Sequence, residues 1–170
     1  MRWEFQPNLT DELREQIVTL WLEVSNAGGA VGFVPPVTRS DVCALAGRAF
    51  ASIDAGLDHL LVGHEADTVV AMLIFVDPRF HLSDHWRTVK RVMVSPSSQG
   101  KGYGAELMRE GERVAREMGW EGLYLTVRDG HGIERFYVTL GYKEVGRLPG
   151  TLRVAPGDDR DEILMWLALR

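Results

Sequence analysis

The stretch Gln99-Gly-Lys-Gly-Tyr-Gly104 sets three glycines at alternate positions between a strand-like run ending at Val94 and a helix-like run beginning at Ala105. A strand that passes through such a turn into a helix aims several free backbone N–H groups, and the positive end of the helix dipole, at one point. Gly100, Gly102 and Gly104 let an anion approach that backbone, and Gln99 and Lys101 can add side-chain donors. The chemistry on offer is phosphate binding; the alternative is a tight turn with no ligand. The Walker pattern is absent. The string GKGYGA imitates a dinucleotide fingerprint, but three strand-like runs precede it where a repeated strand-helix-strand array is required. No acidic run suits a metal, and no nucleophile has a base beside it in the sequence. Cys43 is the only cysteine, which excludes an intramolecular disulfide and a cysteine metal cluster and reads as a buried or inert thiol.

The elements around the loop follow from periodicity. Arg2 to Gln6 alternates as a short strand. Asn8, Thr10 or Asp11 can cap a helix whose apolar positions Leu13, Ile17, Leu20, Trp21 and Val24 recur at helical spacing and which stops at Gly28-Gly29. A glycine- and proline-rich connection leads to a second helix, capped by Ser40 or Asp41, with Val42, Leu45, Ala46, Ala49 and Ile53 on one face. Strands are expected over Leu57 to His64, Thr68 to Val76 and Trp86 to Val94. A helix with Ala105, Leu107, Met108, Val114, Ala115 and Met118 on one face ends at Gly119. A nearly unbroken apolar strand, Gly122 to Val127, follows. A short helix ending at Gly141 and strands at Lys143 to Leu148 and Glu162 to Arg170 complete a mixed α/β order: strand, two helices, three strands, helix, strand, helix, two strands.

Composition narrows the setting. With 170 residues, 45% hydrophobic and 25% charged, the chain suits one domain over residues 1–170. No apolar run reaches the roughly 18 to 20 residues that cross a bilayer, and the N-terminus lacks a signal-peptide layout, so a cytoplasmic protein with no membrane partner is expected. The net charge of −5 and the lack of a basic block argue against nucleic acid and tolerate a cationic amine.

Two motifs together carry a family resemblance. The pattern [QR]xxGx[GA] is met by Gln99, Gly102 and Gly104 after a strand ending Val94-Ser95-Pro96, and Y-x-x-L-G-[FY] is met by Tyr137, Leu140, Gly141 and Tyr142. In these motifs and in its element order the chain resembles the GCN5-related N-acetyltransferases, the GNAT family. The resemblance implies acetyl-coenzyme A as co-substrate, with the cofactor bound by Met93, Val94, Gln99, Gly100, Lys101, Gly102, Tyr103, Gly104 and Tyr137. It also implies a central sheet splayed between the strand at Val94 and the strand at Leu123 to Val127, and acyl transfer to an amine. The segments NAGGAVGF (26–33) and EVGRLPG (144–150) are similar to acetyltransferases of the tabtoxin-resistance type, a lead towards a small acceptor.

Transfer from a thioester to an amine needs a neutral amine, a polarised carbonyl and a proton for the departing thiolate. The resemblance puts Tyr137 in the position of the acid and a backbone N–H near Met93 or Val94 at the carbonyl. A free alkylamine is only about one part in a thousand neutral at pH 7, a deficit of roughly 4 kcal/mol. Many relatives meet it with a glutamate on the strand before the loop, and Thr88 to Val94 contains none. The remaining candidates for the base are Asp84, His85, Asp129, His131 and Glu134, each of which has a structural reading as a cap, turn or surface charge. Gly130 stands where relatives often carry an asparagine for the pantetheine arm. Phe33, Trp86 and Phe80 are candidate pocket aromatics, with Phe33 and Trp86 assigned to the acceptor. Leu148 to Asp161 is expected as a substrate-shaping crossing whose Asp158, Asp159 and Asp161 attract a cation or form a solvated turn. The expected function is N-acetylation of a small-molecule amine by direct attack in a ternary complex, an amino-acid-like toxin or antibiotic being the candidate acceptor that the tabtoxin-resistance likeness suggests, with the protein a monomer or homodimer. The alternatives are a protein or peptide acetyltransferase, a non-catalytic coenzyme A sensor and, remotely, a nucleotide-binding oxidoreductase.

Overall fold

The computed structural model describes residues 1–170. Its elements are β1 (Arg2–Phe5), α1 (Asp11–Asn26), α2 (Arg39–Asp54), β2 (His59–Glu65), β3 (Thr68–Val76), β4 (Trp86–Val94), α3 (Tyr103–Glu117), β5 (Gly122–Arg128), α4 (Ile133–Thr139), β6 (Lys143–Ala155) and β7 (Asp158–Ala168). Single 3-10 turns lie at His81–Ser83 and Pro96–Ser98. The order is the one the periodicity dictates. No helix is long and apolar enough to cross a membrane.

One seven-stranded sheet runs β1-β2-β3-β4-β5-β7-β6, with every neighbouring pair antiparallel except β4 and β5. Each face of it is covered by a separate core. Leu13, Ile17, Trp21 and Val24 of α1 and Val42, Ala46 and Phe50 of α2 pack on one face with Leu60, Met72 and Met93. Leu107, Met108, Val114 and Ala115 of α3 pack on the other with Leu73, Phe75, Leu123 and Ile163. Thr10 caps α1 by accepting from the Leu13 N–H at 3.2 Å. For α2 the structure corrects the expected cap: Thr38 is the N-cap, and Asp41 returns a bond to the Thr38 N–H at 2.9 Å. This is a reciprocal capping box, in which the acidic residue belongs three positions inside the helix and not at its boundary. Cys43, expected buried or inert, is exposed on α2.

The tail departs furthest from expectation. Leu148 to Asp161 is not a loop between strands but the distal half of a long hairpin, turning at Pro156-Gly157. Pro149 and Gly150 read as breakers, yet β6 is an edge strand, where a missing N–H costs no ladder bond. The register slips between Leu148 and Leu152 to pass them, and Gly150, at φ 63°, donates its N–H to Asp161 at 3.0 Å.

β4 and β5 run parallel and pair at only three positions, Trp86 with Gly122, Arg87 with Leu123 and Thr88 with Tyr124. Beyond them the strands part into a V. Its base is held by aromatic packing: the Trp86 ring lies edge-on to Tyr124 at 6.0 Å and to Trp166 at 5.8 Å. Gly122 admits the Trp166 indole, since a Cβ there would stand 2.2 Å from it. A Gly122→Ala substitution should therefore destabilise the fold by about 1 to 3 kcal/mol through overpacking. Denaturant unfolding measures this, and a midpoint equal to that of the unaltered protein would show that the indole yields freely.

Candidate functional site

The opening of the V is a cavity of about 680 Å³. Its walls are residues 88–92 of β4, residues 124–126 and Arg128 of β5, Tyr137 of α4, residues 30–34 between α1 and α2, residues 151–154 of β6, and Glu162 of β7. Past Thr88 and Tyr124 the facing edges of β4 and β5 have no partner strand. Their N–H and C=O groups are left to bind an extended, amide-bearing chain or water.

A bulge in β4 organises the site. Ile74 pairs with Lys90 and Met72 with Met93, so Leu73 faces two residues, Arg91 and Val92. Arg91 takes the left-handed conformation, φ 55°. The extra residue inverts side-chain parity: Val89 and Val92, three apart, both meet the α3 core, while Met93 meets the α1–α2 core. Past the bulge, each β4 side chain is thus moved to the face it would not otherwise reach.

The connection between α1 and α2 is pinned over the cavity. Asn26 holds Val37 from both sides, its Nδ2 donating to the carbonyl at 3.0 Å and its Oδ1 accepting from the N–H at 2.9 Å. Buried Trp21 donates its indole N–H to the Val31 carbonyl at 2.9 Å. Phe33 lines the cavity and packs edge-on against Trp21 at 6.4 Å.

At the glycine loop, α3 begins on Gly102, φ 86°, with no side-chain cap, so its first N–H groups are free. A Cβ on Gly100 or Gly102 would meet nothing within 4 Å, and one on Gly104 only Phe136 at 3.5 Å and Val94 at 3.9 Å, ordinary contacts. The surface above the loop is bare backbone, which fits a pyrophosphate. The long side chains expected to add donors turn elsewhere. Gln99 donates to the Val94 carbonyl at 3.2 Å. Lys101 reaches Glu65 at 3.1 Å, and the Tyr103 hydroxyl donates to the same carboxylate at 2.7 Å. These bonds, that from Tyr103 foremost, hold the Glu65 carboxyl below its ordinary range. Glu65, at the end of β2, belongs to the loop only in three dimensions, and no local pattern marks it.

Tyr137 is buried at the cavity wall, with its ring edge-on to Phe136 at 5.1 Å and Tyr142 at 5.7 Å. Burial pushes its phenol up to about 12, so it is protonated at neutral pH. Glu134 lies one turn earlier on α4, half-buried with Oε2 unpartnered, and outside the cavity lining. Asp84, His85 and Trp86 sit at the closed base of the V, because the Trp86–Gly122 register fixes that end of β4 there. None of the three lines the cavity. Exposed Phe80 and His131 do not line it either. Asp129 does not cap α4, which starts on Gly132; it accepts from the Gly130 N–H at 2.8 Å and faces Arg147 at 3.5 Å. Gly130 makes room for Arg160. Asp158 and Asp159 are paired with Arg160 and Arg153, and Asp161 accepts the Gly150 N–H, so two of the three tail carboxylates are already held by arginines.

The one carboxylate in the lining is Glu162, opposite Arg128 in the β5–β7 register. The sequence does not single it out because it lies on β7, far along the chain from β4, the strand where relatives carry a glutamate. Its charge, with burial as the larger cause, raises the Tyr124 phenol beside it.

Gly102→Val forces a β-branched residue into a left-handed conformation, at about 1 to 3 kcal/mol. It should weaken coenzyme A binding roughly 10- to 100-fold in calorimetry of the folded variant. Unchanged affinity would mean that the loop holds no pyrophosphate.

Residues 33–142 match the model of the Acetyltransferase (GNAT) family. Solved structures share the whole architecture at low identity. A ribosomal-protein-alanine N-acetyltransferase from Brucella melitensis superposes with a TM-score of 0.80 at 17% identity over 99% of both chains. The yncA protein of Salmonella typhimurium, solved with its cofactor acetyl-CoA, gives 0.77 at 19% identity over 99% of this chain and 94% of that one. An aminoglycoside 6'-N-acetyltransferase complexed with coenzyme A gives 0.77 at 17% identity over 100% and 98%. At such identities the likeness is one of fold, and the acceptors named differ from a protein to an aminoglycoside. With its family model spanning most of the chain, a bulged β4, a splayed sheet and a bare glycine loop, this protein belongs to the GNAT acetyltransferases and is an N-acetyltransferase that uses acetyl-coenzyme A.

Proposed function

We propose that the acceptor is the amine of a small molecule held in the V, and that acetyl transfer is direct, within a ternary complex. The observation that carries this reading is the size of the cavity and the elements that border it. Residues 30–34 border it on the helical side and residues 151–154 on the hairpin side, around about 680 Å³. That volume falls in the roughly 300 to 1,000 Å³ of small-ligand sites.

The residues divide the chemistry as follows. Glu162, the only carboxylate in the lining, takes the proton of the incoming ammonium directly or through water. The free β4 edge near Met93 and Val94 supplies a backbone N–H to the carbonyl oxygen as charge builds on it. The amine nitrogen bonds to the acetyl carbon, the carbon–sulfur bond breaks as Tyr137 gives its hydroxyl proton to the departing thiolate, and the surplus proton on the new amide nitrogen passes through water to the tyrosinate and restores the phenol. A phenol at about 12 is a weak acid, yet it is fully protonated when the thiolate leaves, and its burial keeps water from competing.

Tyr137→Phe keeps the two edge-on aromatic contacts and removes only the hydroxyl. Acetyl-coenzyme A affinity and melting temperature should hold while kcat falls on the order of 10²- to 10⁴-fold; an unchanged kcat would remove Tyr137 from the acid role. Glu162→Gln should lower kcat/KM most near neutral pH and recover as rising pH deprotonates the amine in solution. Because the folded phenol titrates near 12 and not at the ordinary 10, the unaltered enzyme should show no loss of rate from Tyr137 ionisation as pH passes 10. A falling limb centred at 10 that disappears in Tyr137→Phe would contradict the assignment.

A further inference from the structure

The cavity is basic in an acidic protein. Lys90, Arg91, Arg128 and Arg153 line it against Glu162 alone, although the chain carries −5 overall. Arg153 is already occupied, with Nε and Nη2 on the Asp159 carboxylate at 2.7 and 2.8 Å. Lys90 is exposed. Arg91 and Arg128 are both half-buried and neither is in an ion pair, but Arg91 alone lies over an aromatic ring, that of Trp21, and burial alone lowers its guanidinium from the ordinary value.

Two costs meet at this residue. A desolvated cation without a counter-ion is unfavourable, and a non-glycine residue at φ 55° adds backbone strain. The surroundings nevertheless fix the guanidinium in place. It lies over the Trp21 ring at 5.1 Å, and that indole is itself anchored to the Val31 carbonyl at 2.9 Å. Gly32, at φ 106°, also lies against it: a Cβ there would stand 2.9 Å from Nη1 and 3.1 Å from Cζ. The absence of a side chain at 32 is therefore what admits the cation. A guanidinium held over an indole and close to a glycine keeps its planar fork of N–H donors in one place, and that fork matches a carboxylate.

The face it occupies separates it from the coenzyme. Trp21 belongs to the α1–α2 core, whereas the glycine loop opens α3 on the opposite face of the sheet. Resting on the reading of the cavity as a small-amine site, we propose that the acceptor carries a carboxylate beside its amine and that Arg91 is the specificity residue that binds it. Glu162 on β7 receives the ammonium end while Arg91 on β4 receives the anion, so the cavity selects amino-acid-type zwitterions over plain amines.

The test uses purified protein with saturating acetyl-coenzyme A and a panel of free amino acids, their carboxamides and the matching decarboxylated amines. For the acids that turn over, kcat/KM should exceed that of the carboxamide by about 10- to 100-fold, as loss of a charge-assisted bond to a buried partner implies. Arg91→Gln should bring that ratio close to one, through KM, with acetyl-coenzyme A affinity unchanged; Arg91→Lys, which keeps the charge but not the fork, should fall between. A ratio near one in the unaltered enzyme, or an Arg91→Gln variant that loses acetyl-coenzyme A affinity while still folded, overturns the proposal. Transfer to amines and carboxamides alone overturns it and leaves the small-amine reading standing. Calorimetric titration of the same panel into the coenzyme A-bound protein reads the contact without turnover. Acids that bind when carboxamides do not, with the difference lost in Arg91→Gln, uphold the anion site even where no acetyl transfer follows, and the small-amine reading then fails by itself. No binding of any acid overturns the anion site.

Discussion

The site depends on the parting of two parallel strands. β4 and β5 share three residue pairs and then separate, so that half the length of each is an unpaired edge inside the molecule. Backbone donors and acceptors in that position are costly unless something pairs with them. The separation is affordable because the rest of the sheet is continuous, and because the base is clamped by Trp86, Tyr124 and Trp166 around a glycine that leaves room for the indole. The V is then a slot whose walls already carry the hydrogen-bonding pattern of a missing strand, suited to the amide-bearing arm of coenzyme A.

The bulge in β4 turns this slot into a two-sided site. By inverting side-chain parity between Val89 and Val92, it gives hydrophobic residues to the α3 face and brings Arg91 against Trp21 on the α1–α2 face. The two faces can thus be specialised separately: bare helix-terminal backbone on one, a shaped and charged cavity on the other. The fixed connection between α1 and α2 matters for the same reason. Asn26 and Trp21 tie down a segment that would otherwise be free, and Gly32 within it is matched to the guanidinium it covers.

The glycine loop follows a complementary logic. Glu65 gathers Lys101, Tyr103 and Ser98, so the side chains stiffen the loop from behind and its outer surface is left to the main chain. Positive charge there comes from oriented N–H groups and the helix terminus, which need no reorganisation on binding.

The sequence by itself determined the elements, their order and the glycine loop, because these rest on local causes: apolar periodicity in α1 and α3, glycine punctuation, and the conformations open only to Gly100 and Gly102. The two motifs around Gln99 and Tyr137 sufficed for the family. It misread the tail, since Pro149 and Gly150 break a strand only where a neighbour requires their hydrogen bonds, and β6 is an edge. Tertiary structure alone decided which charged residues share a cavity. Asp84 and Trp86 are close in sequence to the loop yet lie at the base of the V, while Glu162, far along the chain, reaches its open end through the β5–β7 register. The direction of Arg91 hangs on a single inserted residue opposite Leu73. Register and bulge position are set by pairing between distant segments, and a shift of one residue sends a side chain to the other face, so neither can be read from a run of neighbours.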